Sequence, residues 1–177
     1  MRILFLLLFF SPLWGAWVSQ TAIVKEIIDG DTIKVSLSKN TLTTVRLLYV
    51  DCFETSRGGK MTSDIKKLRT SGYTVSEKAL LSRGLEAKRW LITRLPPQTT
   101  VRLEWDNAKP NDRYGRLLAL VYTLSPESCI NEELILTGLA RPYFVGKTPE
   151  NHRKRIENAY NQAIITGKWQ WLEKTRK

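Results

Sequence analysis

Residues 46–55 read RLLYVDCFET, an apolar strand pattern opened by Arg46 and followed by two acids, Asp51 and Glu54. A third acid, Asp31, sits in the earlier turn Asp29-Gly30-Asp31, and a second arginine, Arg116, ends the polar turn NDRYGR. Three carboxylates at one rim would make a hard, oxygen-rich site suited to calcium or magnesium. An arginine fork can grip two phosphate oxygens at once. Together these are the parts that phosphodiester hydrolysis requires: charge neutralisation, a metal that polarises the phosphate, and a group that positions or deprotonates water. Taken singly, each acid reads as a turn or strand-end residue and each arginine as a solvated charge. Joint use also carries a geometric condition. Strand alternation puts residues 46 and 50 on one face and 51 on the other, so the chain must bend or bulge before Asp51.

The elements around these residues follow from pattern. TAIVKEIIDGDTIKVSL alternates apolar and polar residues around Asp-Gly-Asp and reads as two paired strands, and after a turn at 38–40, TLTTVRLLYV reads as a third. Residues 55–83 are polar and basic, with Gly58, Gly59 and Gly72 and no clear period, and read as a long loop. SRGLEAKRWLITRL has helical spacing up to Pro96-Pro97. TTVRLEWD and GRLLALVYTL return to strand character, INEELILTGLA reads as a second helix, and PENHRKRIENAYNQAIITGKW as a third, with Trp169 and Trp171 packing its end. The fold class expected is mostly β with α (α+β): a five-stranded OB-fold barrel with three helices, with a generic α+β sandwich as the alternative from pattern alone.

The whole sequence carries 28 Lys and Arg against 17 Asp and Glu, a formal charge of +11, which favours a polyanionic partner. MRILFLLLFFSPLWGA, residues 1–16, has the layout of a secretory signal, too short for a membrane span of about 20 residues. The expectation is export, secreted or periplasmic, with membrane anchoring if the segment is not cleaved; one domain fills 17–177. Cys52 and Cys129 leave one disulfide open as a possibility, and with the single His152 they give no zinc spacing. His152, in NHRKR, reads as a surface helix residue, and Trp90, Trp105 and Trp169 as core.

IIDGDTIKV, VRLLYVDCFET, GLEAKRW, NDRYGRLLALVY, NEELILTGLA and GKW resemble, in order and spacing over residues 22–171, the staphylococcal nuclease (thermonuclease) family. The resemblance implies a calcium-dependent enzyme that cleaves DNA and RNA at the bond to the 5′ oxygen and leaves 3′-phosphate ends. It implies Asp31, Asp51 and the main-chain carbonyl of Cys52 as calcium ligands, and Glu54 as the residue that orients or deprotonates water, close to the ion through that water. Arg46 and Arg116 match the phosphate-holding arginines. Arg113 and Tyr114 match positions near a terminal phosphate, and Tyr143 or Phe144 the aromatic that stacks on a base. A monomer is expected.

The sequence departs from the family pattern in three places, one of them Phe144, which falls at the aligned position of the stacking aromatic and lacks its hydroxyl. Phe53 stands where many members have proline, which loosens the restraint on Glu54. The 55–83 loop is longer than in the prototype and carries Arg57, Lys60, Lys66, Lys67 and Arg69. It reads as solvated and disordered, with substrate clamping or partner contact as the other options. The competing function is a catalytically silent nucleic-acid-binding OB module; the full set of Asp31, Arg46, Asp51, Glu54 and Arg116 argues against it.

Overall fold

The computed structural model describes residues 17–38, 41–146 and 148–174. The expected signal at 1–16 lies outside them, as does the end of the expected 38–40 turn. Strands β1 (Trp17–Ile27), β2 (Thr32–Ser38) and β3 (Thr41–Leu47) form the expected antiparallel meander. Its register sets Val24 opposite Val35, Ile27 opposite Ile33 and Thr32 opposite Arg46. The chain continues through β4 (Val50–Cys52), α1 (Gly59–Thr70), β5 (Tyr73–Thr74) and α2 (Glu77–Arg94). Next come β6 (Thr100–Asp106), β7 (Leu117–Leu124), β8 (Glu127–Cys129) and α3 (Ile130–Leu136). It ends with β9 (Ala140–Pro142), α4 (Glu150–Ile165) and β10 (Glu173–Lys174).

The main sheet runs β3-β2-β1-β6-β7-β8, and a parallel pairing of β3 with β7 closes five of these strands into a ring. This α+β ring is consistent with the expected OB-like barrel. Alternate residues point inward, so Val24, Ile33, Val35, Val45, Leu103 and Val121 are fully buried in it. Helix α2 covers the core with Ala87 and Leu91, α3 with Ile130, Leu134 and Ile135, and α4 with Ile156. Among the described residues no helix is long and apolar enough to cross a membrane.

Two expectations about this architecture need correction. The described residues contain four helices, not three, and the 55–83 segment is not a loop: it holds α1, β5 and the first turns of α2. The helical signal is present but thin, because Met61, Ile65 and Leu68 keep i, i+4, i+7 spacing between lysines and beside two glycines. Their partners are remote in sequence: a second core joins Met61, Val75 and Leu80 to Phe53, with Ile65, Leu68, Trp169, Trp171 and Leu172 packed against it. Burying side chains of this size stabilises by about 1.5–3 kcal/mol each, an upper estimate, so tertiary packing outweighs weak local periodicity. Ser76 caps α2 by accepting from Ala79 N at 3.1 Å, which starts that helix before the periodic stretch. Trp169 and Trp171 therefore pack the chain end onto this second core. Cys52 and Cys129 are buried free thiols.

Candidate active site

The bend that the sequence requires before Asp51 lies at Leu48-Tyr49. β3 ends at Leu47, Tyr49 has a left-handed φ of 64°, and β4 restarts at Val50. A non-glycine residue there costs about 1–2 kcal/mol, so the surroundings must hold it. Two anchors do. Asn131 of α3, fully buried, donates to Leu48 O at 2.8 Å and accepts from Val121 N at 2.9 Å, and Tyr143 N donates to Tyr49 O at 2.9 Å. Arg46 fills the inside of the bend. Its Nη1 donates to Leu47 O at 2.7 Å and Val50 O at 2.8 Å, and its Nη2 lies 3.3 Å from Asp51 Oδ1 and 3.1 Å from Asp31 Oδ2.

Asp31 reaches this point because Gly30 lets its turn press against the neighbouring elements. A Cβ on Gly30 would meet the Cβ atoms of Ala87 and Cys52, each at 2.8 Å. Asp29 Oδ1 accepts from Asp31 N, while Asp31 Oδ2 accepts from Cys52 N at 2.7 Å and ties the turn to β4. Burial pushes the Asp31 carboxyl up to about 6, against the lowering effect of Arg46, and Asp29 adds to the rise. Asp51 is also buried, yet its carboxyl is held below the usual carboxylate range: burial raises it, and Lys60 and Arg141 outweigh that.

Lys60 and Arg141 were not among the sequence candidates for the site. β4 pairs with β9 so that Asp51 faces Arg141, whose Nε and Nη2 donate to Asp51 Oδ2 at 2.9 and 2.6 Å. Arg141 Nη2 also meets Asp64 of α1 at 2.7 Å, and its guanidinium lies 4.9 Å from the centre of the Phe53 ring. A lone arginine after Leu139-Ala140 was the only sequence signal for this cation. Lys60, from the first turn of α1, places Nζ 3.0 Å from Asp51 Oδ1, 2.7 Å from Glu54 Oε1 and 3.1 Å from the Cys52 carbonyl oxygen.

Glu54 is positioned by a close helix approach. A Cβ on Gly84 of α2 would run into the Glu54 carbonyl oxygen and come within 2.6 Å of the Phe53 carbonyl oxygen. Phe53 is buried edge-on against Trp171, ring centres 5.7 Å apart, so this aromatic at the proline position restrains the segment by packing. The metal expectation can be tested on this donor set. Asp31, Asp51, Glu54 and the Cys52 carbonyl are hard oxygen donors, the type calcium takes. Among the described residues no three Asp, Glu, His or Cys side chains form a ready-made ion cage. The oxygens converge instead on cations of the chain itself, with Lys60 Nζ standing in as the cation for three of them. The donors fit a hard cation.

Arg116 lies just before β7, whose first residues Leu117 and Leu118 pair with Val45 and Arg46, and it is held by Asp112. Asp112 Oδ2 accepts from Arg116 Nε at 2.8 Å, and Oδ1 accepts from the main-chain N of Tyr114 and Arg116. These bonds hold the Asp112 carboxyl low against the opposing effect of burial. Arg113 donates to the Tyr114 hydroxyl at 2.6 Å, and both stay exposed beside Arg116. Of the two aromatic candidates, Tyr143 is 54% exposed, whereas Phe144 packs 5.8 Å from the Tyr49 ring under the Arg153 guanidinium. His152, expected at the surface, is half-buried between Trp17 and Tyr49, with ring centres 4.5 and 5.9 Å away.

Comparison with known proteins places this geometry in a family. Residues 44–172 match the model described as staphylococcal nuclease homologue. The chain is 31% identical to a thermonuclease of Staphylococcus intermedius over 146 residues, 81% of this chain and 71% of that one. It is 29% identical over 152 residues to the uncharacterized protein MJ1439 of Methanocaldococcus jannaschii, covering 84% of this chain and 70% of the other. Endonuclease YhcR of Bacillus subtilis is 32% identical over 123 residues, which span 70% of this chain but 9% of that protein. With the matched segment running from β3 to the second core, the chain belongs to the staphylococcal nuclease family.

Proposed function

We propose that this protein is an exported, monomeric nuclease that uses calcium to hydrolyse phosphodiester bonds of DNA and RNA, leaving 3′-phosphate ends. The observation that carries the reading is the convergence of Asp31, Asp51 and Arg46 at the β3–β4 bend, with Glu54 bound to the same lysine as Asp51. Asp31, Asp51 and the Cys52 carbonyl would hold the ion, which when bound polarises the phosphate and offsets its charge. Arg46 and Arg116 would grip nonbridging oxygens and stabilise the added charge as phosphorus becomes five-coordinate. Arg116 then exchanges one side of its Asp112 pairing for phosphate.

Glu54, less buried than the two aspartates, would hold water in line with the bond and take its proton. The new P–O bond would form as the bond to the 5′ oxygen breaks, leaving the phosphate on the 3′ side, and the departing 5′ oxygen would take a proton from solvent to become the 5′ hydroxyl of the other fragment. Arg113 and Tyr114 would contact a terminal phosphate, and exposed Tyr143 would stack a base more readily than packed Phe144. Digestion of single-stranded DNA and of RNA with calcium, with magnesium and with chelator tests this. Cleavage that needs calcium and falls in Arg116→Ala is expected; a folded, calcium-loaded protein that binds nucleic acid without cutting it would favour the silent binding module.

A further inference from the structure

We infer that Lys60 is a tethered counter-cation whose ammonium occupies the divalent-ion position, so that an ion binds this site only by displacing it. The inference rests on the metal reading above and adds a competitor to it. Lys60 Nζ touches three of the groups assigned to the ion and its water: Asp51 Oδ1, Glu54 Oε1 and the Cys52 carbonyl oxygen. Local structure does not explain this placement. A lysine in the first turn of a helix faces the positive end of the helix dipole, and α1 has no acid in its first turn to offset that. The carboxylates of the site are what draw the ammonium in.

The charges agree with exchange. Asp31, Asp51, Glu54 and Asp64 are in direct contact with Arg46, Lys60 and Arg141, four acids against three cations. Withdrawing one ammonium leaves an excess of two negative charges, which a divalent ion neutralises. The exchange does not require α1 to unfold. The Lys60 side chain is 44% exposed and can swing to water about its own stem. Met61 in the second core and the Asp64–Arg141 pair keep the helix seated meanwhile.

The test is calcium titration by calorimetry, with the calcium-induced shift in melting temperature as a second readout, on the full chain and on Lys60→Met and Lys67→Ala. Lys60→Met keeps the apolar stem. Lys67→Ala removes an exposed charge from the same helix and controls for net charge. A neighbouring charge at this range changes a carboxylate's equilibrium by one to three pKa units, so Lys60→Met should bind calcium at least about tenfold tighter. It should also gain the larger thermal shift, while Lys67→Ala stays within about twofold of the parent. Equal affinity in the parent and Lys60→Met would overturn the inference, as would calcium binding to neither. Nuclease assays on the same samples separate the two readings: tighter binding without cleavage in any sample keeps the displacement and removes the enzymatic function.

Discussion

Arg46 is shared by two buried carboxylates and two main-chain carbonyls, so its removal has both structural and chemical consequences. Arg46→Ala leaves Asp31 without its direct cation. Breaking a buried pair costs about 3–5 kcal/mol, and urea denaturation should show a loss of that order. Cleavage should fall by at least about 100-fold through lost stabilisation of the phosphate. His152 gives a pH test away from the acids. Burial, then Arg155, lowers its affinity for a proton, with Glu104 opposing weakly, while the unfolded chain takes up that proton near 6.5. Below pH 6.5 the unfolded state therefore binds more protons, and stability falls with pH until folded His152 is itself protonated. His152→Gln removes this dependence, so the melting-temperature advantage of the parent over the variant should shrink from pH 8 to pH 5. Asp31, raised to about 6, acts in the opposite direction but is common to both proteins and cancels in the difference. A gap independent of pH would contradict the assignment. At this scale the sequence showed Asp31, Arg46, Asp51 and Glu54 as candidates, because residue type and motif spacing carry them. Arg141 and Asp64 stayed hidden because their roles arise from the β4–β9 pairing and from α1 packing.

The elements that aim these residues meet at two tight points. At the first, α2 presses Gly84 against the Phe53 and Glu54 carbonyls. Gly84→Ala must push that segment away, and kcat should drop more than stability would explain; crystal structures of parent and variant would show Glu54 displaced. A variant with full activity and an unmoved Glu54 would remove the positioning role. At the second, Asn131 pins the Leu48 carbonyl from α3. Asn131→Ala leaves buried main-chain groups unpaired, a cost of about 1–3 kcal/mol each, measurable by thermal unfolding, and loosens the bend that lets Arg46 reach Asp51. The need for that bend was legible in RLLYVDCFET, because alternation alone forbids the contact. Its cause was not, since Asn131 and Tyr143 lie far along the chain. The same reason explains the misread segment 55–83: its apolar face is short, and Phe53, Trp169 and Trp171 complete it from elsewhere.

For the whole molecule, the ring of strands was legible because β6 alternates along its length and β1, β2 and β3 alternate where they enter the core, while β7 is an apolar run, Leu117 to Tyr122, buried at all but Leu118. The net charge of +11 sets a further expectation. Affinity for single-stranded DNA should fall steeply and linearly in log–log form as salt rises, since each phosphate contact contributes about −0.7 to the slope. Fluorescence anisotropy with a labelled oligonucleotide checks this, and a flat profile would argue against a phosphate-tracking surface. The most direct test of the active-site assignment is the calcium-dependent rate of single-stranded DNA cleavage by the parent and Glu54→Gln at equal folded concentration. Loss of a positioned base costs about 100- to 10,000-fold. A drop of that size, with calcium binding retained, is the predicted result; cleavage by Glu54→Gln at the parent's rate would contradict the site described here.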